Sequence, residues 1–70
     1  MDSGDMIKVA CGQMRNPLEH AQGRMNQAFE ALDKIETEGT PFKERMALIR
    51  QLENHLETIQ MDMERAKLAF

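Results

Sequence analysis

Two histidines, one cysteine and a dozen carboxylates are the side chains of this sequence best able to do chemistry. A metal site needs clustered ligands, and on a helix the neighbours sharing a face stand three and four places away. His55 has Gln51, Leu52, Thr58 and Ile59 at those offsets, and His20 has Asn16, Pro17, Gly23 and Arg24. Neither set supplies a second ligand, so no metal or other cofactor is expected. Cys11 has no histidine near it in sequence, and a nucleophilic thiol needs a base within hydrogen-bond reach. Glu30 and Lys34 stand in the favourable order four residues apart, and Glu53 and Glu57 repel mildly at the same spacing. These are carboxylates of solvated helix faces, with no pair in an apolar pocket that would tune one as acid and the other as base. No catalytic residue is assigned, and the expected role is non-enzymatic.

The strongest signal is the spacing of apolar residues. Phe42, Ile49, Leu56, Met63 and Phe70 recur every seven residues, and Leu52, Ile59 and Ala66 interleave three places after, with Arg45 the only break. Upstream, Cys11, Met14, Leu18, Ala21, Met25, Ala28, Leu32 and Ile35 step alternately by three and four. This is the period of an amphipathic helix at coiled-coil repeat, with no two-residue alternation to argue for strands. The expected hairpin core is Leu18, Met25, Leu32 and Ile35 from the first helix, facing Phe42, Ile49, Leu52, Leu56 and Ile59 from the second.

Punctuation agrees with the period. Asn16-Pro-Leu-Glu19 offers a cap, a proline at the first helical position and a carboxylate that can reach back to the cap. Thr40-Pro-Phe-Lys43 repeats the first two elements, and Gly39 suits the left-handed residue that ends a helix. Helices over about 17–38 and 41–69 follow, joined by a turn at 39–40 short enough to force antiparallel packing. The second helix would then outrun the first by about 10 Å. Residues 1–15 form a separate N-terminal segment, mobile or a short helix; an earlier start of the first helix with a kink at Pro17 would serve the same end. The fold class is all-α, an antiparallel coiled-coil-like hairpin completed by oligomerisation or a partner.

Size argues for that completion. A chain of 70 residues makes one small domain with a marginal core, and a single Cys11 cannot close an intrachain disulfide. Phe29, Leu48, Met61 and Leu68 lie off the expected seam, and with Met63 and Phe70 at the unmatched end of the second helix they are the candidate partner-binding residues. A net charge of −3 with scattered basic residues disfavours nucleic acid. An RNA or DNA binder would need Arg15, Arg24, Arg45 and Arg50 to converge on one face. No apolar run has the length of a membrane span, and Asp2 and Asp5 stand where a signal peptide wants positive charge, so a cytoplasmic location without membrane insertion is expected.

Two amphipathic helices joined by a short glycine-containing link, Met25 to Ile59, resemble the small co-chaperones of bacterial type III secretion needle subunits. The resemblance implies a hairpin that packs on a second chaperone of helical repeats, the two together keeping an aggregation-prone needle subunit monomeric before export. Its docking site would be the hydrophobic face. The rival reading is a homodimer of hairpins forming a four-helix bundle, in the manner of plasmid or phage regulators that act through protein or nucleic-acid binding.

Overall fold

The computed structural model describes residues 3–70 and contains two α-helices packed against each other. Met1 and Asp2 lie outside the described residues, including the part of the N-terminal segment that they make up. Helix α1 spans Ser3–Glu36 and helix α2 spans Phe42–Lys67. The pair is long and one helix thick, with principal extents of 59 × 15 × 9 Å.

The N-terminal segment is not a separate unit. Of the arrangements open to residues 3–15, the structure takes the early start: α1 runs without a break through Asn16 and Pro17. Asn16 therefore caps nothing. An interior proline removes one helical hydrogen bond and costs about 3 kcal/mol, and tertiary contact offsets that cost here. Pro17 is itself buried, and the helix preceding it reaches the far end of α2, where Met6, Ala10 and Gln13 share a hollow with Ala69 and Phe70. Ala66 is buried as a result. The longer helix is α1, at 34 residues against 26, which reverses the expected mismatch.

At the corner, α1 ends two residues earlier than its spacing suggested, and Gly39 takes φ +84°, the left-handed conformation that a Cβ would oppose. Thr40 does not cap α2. Its hydroxyl turns back toward the Lys34 and Thr37 carbonyls at 3.1 and 3.0 Å, where it satisfies the end of α1. Pro41 holds the cap position, and its carbonyl accepts the first helical bond from the Arg45 N–H at 3.0 Å. Arg45, the one break in the apolar spacing, lays its guanidinium on the Thr37 carbonyl at 3.1 Å. A cation there also complements the negative end of the α1 dipole.

The seam between the helices is not the stripe of large apolar residues. The buried residues of α1 are Pro17, Ala21, Ala28 and Ala31, and those of α2 are Leu48, Ile59, Asp62 and Ala66. Half-buried Ala10, Met14, Arg24 and Ile35, and Arg45, Leu52, His55 and Ala69, complete both lines at alternating steps of three and four. Every second position of each expected line is thus replaced by the residue just before it. Leu18, Met25, Phe42 and Leu56, expected as core, are exposed, Leu56 at 54% and Phe42 at 75%. Leu32, Ile35, Ile49 and Leu52 are half-buried, and of the expected core only Ile59 is buried. Alanines line the seam because small side chains let the two backbones approach closely, and the larger residues are displaced to its edge.

If Pro17 is tolerated only for the reach it gives α1, its replacement by a helix former should help. Pro17→Ala restores a backbone bond and removes the ring clash, and should raise the melting temperature by about 4–8 °C for each kcal/mol gained. Circular dichroism melts check this, and a lower melting temperature would show that the proline ring is itself the contact that matters.

Candidate functional site

The two edges of the seam differ in chemistry. Reversing the second helix also reverses its sense of rotation seen along a common axis. Residues one place after the seam line therefore fall on the same side of an antiparallel pair. On that side α1 presents Cys11, Leu18, Met25 and Leu32, and α2 presents Ile49, Leu56 and Met63, with Phe42 at its start. No charged residue interrupts either line. Phe29 of α1 and half-exposed Met46 of α2 stand one position further out and widen the same face.

The opposite edge is polar. Asp62, at 2% exposure, accepts hydrogen bonds from His20 Nδ1 across the seam and from Arg65 one turn along its own helix, both at 2.5 Å. Hydrogen bonding from His20 first, and from Arg65 after it, holds the Asp62 carboxyl below the usual carboxylate range against the opposing effect of burial. One step toward the corner, the Arg24 guanidinium meets His55 Nδ1 at 3.3 Å and Gln27 Oε1 at 3.4 Å. The Arg24 to His55 contact fixes the register, and Ala31 and Leu48 line one hollow in agreement with it.

Both histidines, then, are occupied in pairing the helices. Asp62, absent from every candidate set read from the spacing, is the buried partner 42 residues from His20. The signal was available in principle: Leu48, His55, Asp62 and Ala69 form a seven-residue series of their own, hidden by its polar members. A histidine oriented by a carboxylate is part of a hydrolase triad, but the hydroxyl beside it, Thr58, donates to the Asn54 carbonyl at 3.0 Å. Among the described residues no three histidines, cysteines or acids gather as a metal site would require, and Cys11 is exposed and free. Of the four arginines considered for nucleic acid, Arg24 is bonded in the mid-seam and Arg45 at the corner.

The residues assigned to a partner divide. Leu48 belongs to the hairpin itself, 8% exposed in the seam. Phe29, Met61, Met63, Leu68 and Phe70 are exposed. Met63 lies on the apolar face and Phe29 beside it, while Met61 lines the groove on the polar side with His20 and Arg65. Phe70, largely exposed, lines an open hollow with Met6 and Ala10 of α1. No described helix is long and apolar enough to cross a membrane. Comparison of the chain with known proteins gave no match to a family model, to a curated protein or to a solved structure.

The Asp62 arrangement carries a sign for pH. A carboxyl held low in the folded chain contributes stability that is complete above about pH 4 and is lost as the pH falls through the depressed value. Asp62→Asn keeps an acceptor for His20 and Arg65 but removes this titration. Melting temperatures followed from neutral pH down to about pH 2 should fall more steeply for the natural chain than for the variant below about pH 4. Parallel curves would mean that Asp62 is not held as the ionised partner of the seam.

Proposed function

We propose that this chain is a non-enzymatic helical interaction protein that holds another helical protein against one flat apolar face. The observation that carries the reading is the division of side chains. Alanines and polar groups make up most of the seam inside the hairpin, with Leu48 and Ile59 the large side chains buried in it, and Leu18, Met25, Leu56 and Met63 are left together on one side. A surface helix normally turns its widest apolar stripe toward a core, and in this hairpin that stripe faces outward.

The most concrete form of this activity is the one implied by the resemblance to needle-subunit co-chaperones, in which such a face docks on helical repeats and helps to shelter an export substrate. Exposed methionines suit that work, since their flexible thioethers adapt to irregular surfaces.

Co-expression with a needle subunit and its helical-repeat chaperone tests this form directly. Gel filtration should recover a complex of all three, lost when Leu56→Asp and Met63→Asp place charges on the face. Absence of the complex with the natural chain would remove the co-chaperone reading.

A further inference from the structure

We infer that the first occupant of the apolar face is a second copy of this chain, and that two hairpins close face to face into a four-helix bundle. The inference rests on the docking role proposed for that face and names what fills it.

Direction is the first argument. Successive residues of a helix are rotated by about 100°. Replacing every second member of a seam line by its following neighbour therefore turns the stripe's midline by about 50°. That is the angle between the midline of the hairpin seam and the midline of the apolar line Met14, Leu18, Ala21, Met25 in α1, and of Leu52, Leu56, Ile59, Met63 in α2. In a square of four helices the bundle centre lies about 45° from the line joining adjacent helices, and in a triangle of three about 30°. Both helices turn the same way, toward the same side. Their apolar stripes aim at the centre of a square whose other two corners are missing.

Area is the second. A compact protein of 8.1 kDa exposes about 4,500 Å², and this hairpin exposes 5700 Å². The excess, about 1,200 Å², exceeds the roughly 800 Å² that each partner buries in an ordinary stable interface. The chain's radius of gyration tells the same story, 16.9 Å against about 11 Å for a compact chain of this length. A second hairpin supplies two helices of matching length and the same uncharged central line, and a self-complementary patch closes on itself by two-fold symmetry. The rotated lines also explain why the large residues repeat so regularly: together they are the core of the bundle and the edge of the hairpin.

The test is the mass and melting temperature of the purified chain over a range of about 5–200 µM. Light scattering should give two chains per particle, and the melting temperature should rise with concentration, because dimerisation stabilises the folded state by mass action. Leu56→Asp should weaken association by about 100-fold or more by burying an unpaired charge, while Gln51→Asp on the polar edge should leave the mass unchanged. A helical monomer with a concentration-independent melting temperature overturns the second copy as occupant and leaves the face to a foreign helical protein. A dimer weakened by Gln51→Asp and indifferent to Leu56→Asp overturns both this inference and the docking role of the face.

Discussion

The constraint on which the rest depends is the choice of stripe that each helix turns toward the other. A seam of Ala21, Ala28, Ala31 and Ala66 brings the two backbones close, but alanine buries little apolar area, and at about 25 cal/mol per Å² such a contact supplies little driving force. The large side chains that could supply more stand beside the seam, on one face. A helix pair so arranged holds its shape by close packing and by specific polar contacts, and gains its main hydrophobic stabilisation only when the face is covered.

The polar contacts matter for alignment more than for strength. Alanine recurs along the seam, so its apolar packing alone distinguishes one register from the next only weakly. A slide would part Asp62 from His20 and leave the buried carboxylate with only Arg65 of its own helix, and losing one partner of a buried charge costs more than the pair contributes. His20 is fixed relative to it across the seam, and Arg24 with His55 marks a second point along it. The corner adds a third, where Thr40 and Arg45 both satisfy carbonyls at the end of α1. Three polar points along one seam specify a single register, a use for buried polar groups known from coiled coils.

Helix content, the antiparallel hairpin and the position of its corner were legible in the sequence because period, proline and glycine all act locally. The face turned inward was not. Met14, Ala21, Ala28, Ile59 and Ala66 belong to both candidate lines, and the choice between Leu18 and Pro17, or between Leu56 and His55, goes against hydrophobicity. Hydrophobic ranking identifies the stripe that seeks a core, and in a bundle that core lies off the line between neighbouring helices. The start of α1 departs from its local signal for a related reason. Asn16 and Pro17 form a convincing local start signal, and it is overridden by burial that only the folded pair creates, of Pro17 in the seam and of Ala66 near the far end of α2. The His20 to Asp62 pairing was out of reach until the register was known.

The measurement that bears most directly on the central claim is intrachain disulfide formation between engineered cysteines, in a Cys11→Ser background. If the small and polar stripe faces inward, Arg24→Cys and His55→Cys stand on facing lines of the seam at matching register, and cysteines there can approach each other as a disulfide requires. That pair should oxidise readily within one chain, as read by mass spectrometry under denaturing conditions. Ala21→Cys with Leu56→Cys, which would face each other if the large apolar stripe formed the seam, should stay reduced. Ready closure of the second pair and not the first would contradict the account.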